Sequence, residues 1–581
     1  MHIKWKMDIK KNNIKVFKDK KKINQNFYMK YIQGIEKGKN MKNAKGYLNM
    51  VLHTHLPFVN HPENDNYIEE EWLYEAITET YIPLLKYFNM LAEEKVEFAI
   101  TMSLTPPLLE MLDSKVQQEK YIRYLQKHIE LSQKEIERTE FGPNEEHELA
   151  KYYFDRYSNE LYLFKEVYNC ELIPQFKMLQ DKGYIEIITC HATHGFVPML
   201  YTNERNIEVQ VKYGVKTYEK YFGRKPKGMW IAECGYAQES EKYLKKYGIE
   251  YIFTEMHGVM YANPVPIYGV YAPIITPQGI AVFGRNVEST MRVWSNSTGY
   301  PGDSNYREFS RDIGYELDYD YIKPYLTYDG IRIPTGIKYY SVSGKSDNKD
   351  YYNVQRAKWT AETHAYDYMQ KTIEQIKKGN EYTKQKPPII VSMQDTELYG
   401  HWWYEGPYWL YILIKKMYYD QDEIDFITPS KYLDMYPELQ ICQPSLSSWG
   451  SGGTNAQWAE CDEKDIYIHL EILSKRMTEL ANDYQNEKDR LKIRALNQCA
   501  RELLLLQTSD WYFNLTCYRA VDYSNKRINT HIGRFNKLYD EIKNSAIDEE
   551  CLRNIEWKDK ILQEIDFRDY KDNVKIKRIL N

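Results

Sequence analysis

No stretch of this 581-residue sequence approaches the ~20 consecutive apolar residues that a membrane-spanning helix needs. The lysine-rich start also lacks the apolar core of a secretory leader, so a cytoplasmic location is expected. Positive charge is not in excess: 78 Lys and Arg against 83 Asp and Glu leave a net charge of −5. Nucleic-acid and membrane-surface binding both rest on a basic excess, so neither partner class is expected. Paired cysteines are missing too. Cys170, Cys190, Cys234, Cys442, Cys461, Cys499, Cys517 and Cys551 are scattered with no CxxC spacing, and they read as free thiols rather than a disulfide framework. No repeat recurs at a fixed period.

What is present is ordinary in bulk and unusual in one residue. Apolar residues at 43% and charged residues at 28% fit a soluble globular chain long enough for two or three domains. Tyrosine stands out at 55 residues. Aromatic rings suit sugar faces, but the accompanying Lys, Asn and Ile explain the count equally well as an AT-rich coding bias.

Residues 1–40 show neither helical nor strand periodicity and are expected to be a disordered or spurious N-terminal extension. From 46 onward short β-rich runs recur at 47–53, 97–103, 184–190, 228–234, 251–256, 388–394 and 425–430. Several are nearly continuous apolar runs, as in strands buried on both faces of a parallel sheet. Helical patterns lie between them, so the fold class expected is α/β, a (β/α) barrel of about seven strands over 46–435. A charged, helix-periodic insert is expected at 112–182, and site-covering loops at 257–387. A helical C-terminal domain is expected over 440–581, on patterns such as IRALNQCARELLLLQ.

Catalytic groups of such barrels sit at the C-terminal ends of the strands. Those positions hold His53, His55, His191, His194, Glu233, Glu255, Asp395 and Glu397. Two carboxylates across one pocket are the equipment for glycosidic bond cleavage: one protonates the leaving oxygen while the other attacks the anomeric carbon or activates water. Trp230, Trp402, Trp403 and Trp449 occupy the same segments, where rings can wall a sugar site. Each residue taken singly has a structural explanation. Glu233 would cap a helix, the tryptophans would fill core, and His55 would be a satisfied histidine. A zinc hydrolase is a further alternative, since HTH at a strand end with Asp across the rim is a metal-binding pattern. A glucan-binding protein without catalysis would not need both carboxylates.

Five segments carry a resemblance: HTHLPFV at 53–59, HATHGF at 191–196, WIAECGYA at 230–237, DTELYGHWWYEGP at 395–407 and SSWGSGG at 447–453. With EEWLYEAITETYIPLL at 70–85, GYPGDSNYREFSRDIG at 299–314 and ARELLLLQTSDW at 500–511, they cover nearly everything from 46 to 545. The chain resembles glycoside hydrolase family 57, and within it most closely the 1,4-α-glucan branching enzyme group. The resemblance implies a (β/α)7 barrel with a helical insert and a helical C-terminal domain. It implies Glu233 as nucleophile and Asp395 as general acid/base, with no cofactor and no metal. It also implies an α-glucan such as amylose or glycogen as substrate and a part in glycogen biosynthesis, with an α-amylase-like glucan hydrolase of the same family as the alternative, because the same two carboxylates serve both reactions. His55, His194, Arg285, Trp294, Trp402, Trp403, Trp449 and Trp458 are implied to bind substrate. Ser451 departs from the pattern, standing where an acidic residue is expected, which bears on donor-chain contacts there.

Overall fold

The first long apolar run, GYLNMVLHT, forms strand β1 (Gly46–Thr54), in which every residue is buried. Burial on both faces is the condition of a parallel strand under a layer of helices. The other strands follow as β2 (Ile100–Leu104), β3 (Ile185–Cys190), β4 (Gly228–Trp230), β5 (Tyr251–Thr254), β6 (Ile274–Ile275), β7 (Ala281–Gly284), β8 (Ile389–Asp395), β9 (Ile424–Phe426) and β10 (Gln440–Ile441). This computed structural model describes residues 44–328, 330–344, 348–383, 386–460 and 465–572. The expected extension over 1–40 lies outside the described residues, as does the end of the 440–581 segment.

Seven strands run parallel in the order β7-β5-β4-β3-β2-β1-β8. The curl approaches closure where the Asn286 N–H, just past β7, donates to the Val391 carbonyl of β8 at 2.8 Å. One expectation needs correction. The segment 425–430 is not the seventh stave: β9 pairs only with Gly46–Leu48 at the start of β1. The seventh stave is β7, inside the 257–387 segment read as loops. Its four residues are too short to stand out among Gly, Pro and Tyr. The same segment also holds the long helix Val354–Thr383.

Side chains alternate along each strand. Tyr47, Val51, Ile188, Cys190, Trp230, Tyr251, Phe253, Ala281, Phe283, Ile389, Val391 and Met393 share one parity and fill the barrel interior. Leu48, Met50, Leu52, Ile187, Met229, Ile252, Val282 and Ile390 share the other and join the larger cluster beneath the helices. Continuing the inward parity past the last apolar residue brings His53, Glu255, Arg285 and Asp395 to the C-terminal mouth. In the register, His53 stands opposite Asp395.

Between β2 and β3 stand the helices Lys115–Thr139, Asn144–Tyr162 and Ile173–Asp181. After β10 come Asp465–Asp483, Arg490–Leu506, Ser509–Thr516, Val521–Lys543 and Glu549–Lys558. No helix of the described residues is long and apolar enough to cross a membrane. This C-terminal bundle is bolted to the barrel. Leu503 to Leu506 are fully buried. Thr193 Oγ1 donates to the Leu504 carbonyl at 2.5 Å, Gln210 Nε2 to Gln507 Oε1 at 2.9 Å, and the Ser509 N–H to the His194 carbonyl at 3.1 Å.

Candidate active site

Glu233 follows β4 in a tight turn, at φ 60°. A non-glycine residue in the left-handed region carries a strain of about 1–3 kcal/mol and persists only where its surroundings impose it. The imposing contacts are visible. The Trp449 N–H donates to the Glu233 carbonyl at 3.0 Å. Trp449 Nε1 donates to Oε2 at 2.7 Å, and Ser509 Oγ donates to Oε1 at 2.9 Å. Both carboxylate oxygens are therefore aimed by donors from outside the strand. His194, at φ 58°, is held in the same unusual conformation.

A one-way chain of hydrogen bonds leads to Glu233. Ser509 donates its hydroxyl proton to the carboxylate, so it accepts from His194 Nδ1, at 2.8 Å. His194 Nε2 is then left to accept from His53 Nε2, at 3.1 Å. His53 Nδ1 accepts in turn from Ser103 Oγ, at 2.7 Å. Every link needs a neutral imidazole. Burial holds His53 and His194 well below the usual histidine range, as this demands. His53 also stacks on Trp230, with ring centroids 4.4 Å apart.

The two acids have displaced affinities for protons. Burial, reinforced by the charge of Asp510, raises the Glu233 pKa to about 7, against the hydrogen bonds from Trp449 and Ser509. Burial also raises Asp395 to about 7, with the Glu233 charge as the next cause and Arg285 opposing it. The influence runs from Glu233 to Asp395, and Glu233 takes its own second cause from Asp510; both acids are left with proton affinities near neutrality. Acids with such displaced affinities can exist at neutral pH one ionised and one protonated, the condition that acid-and-nucleophile chemistry requires.

The structure brings most of the expected residues together. His55 Nε2 lies 3.0 Å from Asp510 Oδ2, and its Nδ1 lies 3.0 Å from Thr105 Oγ1. Arg285 pairs with Glu255 at 2.9 Å and lies over the Trp449 ring. Trp402 and Trp294 stand at the rim, exposed and edge-to-face at 5.9 Å. Trp403 and Trp458 do not line the opening. Each is only 1% exposed. Trp403 packs on Tyr306 and Trp409 and supports the site from behind, whereas Trp458 stacks on Phe196 and turns its indole to the Glu233 carboxylate, opposing the rise of its pKa. Two contributors escaped the sequence reading. Ser509 and Asp510 lie in the ARELLLLQTSDW stretch, and a Ser-Asp pair opening a helix reads as ordinary capping chemistry.

His55, His194 and Asp510 offer ligand-capable atoms within 4.8 Å of one another. They do not fit a metal as arranged. The His55 and His194 rings stack 3.7 Å apart at 17°. An ion held about 2.1 Å from one ring nitrogen, in that ring's plane, falls well off the plane of the other. The His55 and Asp510 atoms already face each other.

A curled parallel sheet with a Glu and an Asp of raised proton affinity at its C-terminal mouth is the architecture of an enzyme that acts on glycosidic bonds. The chain belongs to glycosyl hydrolase family 57, whose model matches residues 49–444. A second model, 1,4-alpha-glucan branching enzyme, C-terminal, matches residues 469–570. A 1,4-alpha-glucan branching enzyme of Thermococcus kodakarensis is 31% identical over 89% of this chain and 77% of its own. The alpha-amylase AmyC of Thermotoga maritima superposes with a TM-score of 0.85 at 42% identity, covering 91% of this chain and 99% of that one. A branching enzyme of Pyrococcus horikoshii superposes with a TM-score of 0.81 at 32% identity, covering 91% and 97%.

Proposed function

We propose that the protein is a 1,4-α-glucan branching enzyme working by retaining double displacement. One observation carries this reading. The segment matched by the branching-enzyme C-terminal model supplies Ser509 to Glu233 and Asp510 to His55. That region is therefore part of the reacting centre.

Glu233, ionised, attacks C1 of an α-1,4-linked glucosyl unit. Asp395, protonated, gives its proton to the departing 4-oxygen. The product is a glucosyl-enzyme ester. Asp395, now a carboxylate, takes the proton of an acceptor 6-hydroxyl, whose oxygen displaces Glu233 from C1. Two inversions leave an α-1,6 linkage, with no proton gained or lost overall. Water at roughly 55 M competes for the ester, and a positioned acceptor reaches effective molarities of ~10⁵ M or more. Trp294, Trp402 and Trp449 are the rings available to position it. An α-glucan substrate supports a role in glycogen biosynthesis, for which a cytoplasmic location is proposed.

A second reading, hydrolysis, is favoured by the 42% identity to an alpha-amylase. Incubation with amylose separates the two. Branching gives new α-1,6 anomeric proton signals and a falling iodine stain, with reducing ends rising far more slowly than branch points. Release of reducing ends with no α-1,6 signal would identify an amylase.

A further inference from the structure

A second concavity lies on the other side of the catalytic loop. It is a cavity of about 250 Å³ between the helical insert and the loop that follows Asp395. Its walls include Glu75, Tyr124, Tyr157, Phe309, Lys338 and His401. None of these contacts Glu233 or Asp395.

The polar groups of the cavity are of both signs and unequally engaged. Glu79, also in the wall, is fully occupied: it accepts from His401 Nδ1 at 2.8 Å and from Arg307 at 2.9 Å. The Glu75 carboxylate accepts no hydrogen bond among the described residues. Its closest cationic group is His401 Nε2, at 3.9 Å. Lys338 is 4% exposed and donates to the Phe309 carbonyl. The carboxylates are offset by Lys338, Arg307 and His401, so the cavity does not select a multiply charged ion. It presents an acceptor, a buried cation and phenolic and phenyl faces in one small space. Drug-sized ligands take about 300–1,000 Å³, so this volume suits one small polyhydroxylated ring.

The rim is pre-organised. Asp312 accepts from the Gly314 N–H, the Thr335 N–H and the Thr335 hydroxyl on one oxygen and from the Gly336 N–H on the other. This pins the loop that carries Phe309 and Lys338. A path also joins the cavity to the catalytic mouth. Trp294 meets Trp402 at 5.9 Å, Trp402 meets His401 at 6.3 Å, and His401 meets Phe309 edge-on at 5.7 Å. Phe309 at 46% and Tyr315 at 48% exposure stand open at the cavity end of that path.

We propose that this cavity is a distal carbohydrate pocket. It receives one sugar unit of an α-glucan chain whose neighbouring units run over Phe309, His401 and Trp402 toward the catalytic carboxylates. The inference rests on the α-glucan reading above. Glu75 and Lys338 bind hydroxyls from opposite sides, and the rings meet the C–H faces of the pyranose. The pocket acts on long chains only, because a short substrate fills the catalytic mouth without reaching it.

The test compares full-length wild type, Glu75→Gln and the double variant Phe309→Ala/Tyr315→Ala. The substrates are amylose and a short chromogenic maltoside. Both variants are expected to raise KM for amylose about tenfold with kcat changed less than twofold, and to leave maltoside kinetics at the wild-type value. Glu75→Gln keeps shape and removes only a charge, so it remains informative should the double variant fold poorly. An unchanged KM for amylose in Glu75→Gln, with an active wild type, overturns the pocket and leaves the function standing. Equal losses on both substrates also overturn it, because they mark a structural effect on the catalytic loop. A wild type inactive on both substrates overturns the α-glucan reading itself.

Discussion

Glu233 combines a strained backbone, two hydrogen-bond donors and a raised pKa, and each has a measurable consequence. Glu233→Gln and Asp395→Asn keep shape and remove nucleophilicity or proton transfer. Each is expected to lower turnover on amylose more than a thousandfold in a folded protein, which activity and circular dichroism together check. The pH–rate profile should be a bell with its maximum near neutrality. Below it both acids are protonated and no nucleophile remains; above it both are ionised and no acid remains. Asp510→Asn removes the charge that reinforces the raised Glu233 pKa, so on an aryl glycoside with a good leaving group the acid limb should move to lower pH. Ser509→Ala deletes a hydrogen bond to a charged group, worth about 1.5–3 kcal/mol. A fall of about tenfold to a hundredfold in kcat, with an unchanged melting temperature, is the outcome to look for. The carboxylate pair was legible in the sequence because strand ends of a parallel barrel are where chemistry sits. Ser509 was not, because its role depends on a docking between segments 276 residues apart.

At the scale of elements, strand parity explains most of what was readable. A run such as IIVSMQD declares both a buried strand and, by counting in twos, an acid at its mouth. The same counting on AVFG and the following Arg285 would have found β7, but four residues carry too little periodicity to be separated from loop. The turn Ile77–Tyr81 shows what patterning cannot reveal. It takes a wider, π-type coil and braces the catalytic loop. Gly400, at φ 120°, lies so close to the Glu79 carbonyl that a Cβ would come within 1.8 Å of it, which only glycine tolerates. On the same turn Tyr81 donates to Glu397 at 2.5 Å. Burial raises the Glu397 pKa to about 8 from 4.5. A carboxyl that binds its proton more tightly when folded contributes stability below about pH 4.5, and that contribution is lost as the pH rises through about 8. Each unit of difference corresponds to about 1.4 kcal/mol. Glu397→Gln does not titrate, so its melting temperature minus that of wild type should grow from pH 5 to pH 8.5. A difference independent of pH would refute the assignment.

The whole molecule is a barrel and a bundle with separate sources of strength. The barrel interior is mostly apolar, with the buried Asn49–Thr101 hydrogen bond among its few polar contacts, whereas the bundle buries charge. Asp559, fully buried, accepts from Arg527 at 3.4 Å and from Arg534, beside a His531–Glu502 contact of 2.6 Å. Removing one partner of a buried ion pair leaves the other uncompensated, at a cost of about 3–5 kcal/mol. Asp559→Ala should therefore lower the melting temperature of the bundle markedly. Activity should fall with it, since the bundle carries Ser509 and Asp510. Calorimetry followed by assay across the transition checks both.

The hydrogen bond from Ser509 to Glu233 also has a temporal meaning. A ribosome releases Glu233, the proposed nucleophile, long before the residue that aims it. A nascent barrel thus holds both carboxylates while one of the donors that orients Glu233 is still unsynthesised. On the proposed function, full activity is expected only once the tail docks, so that the tail would serve as a completion signal and a prematurely terminated chain would be left catalytically crippled.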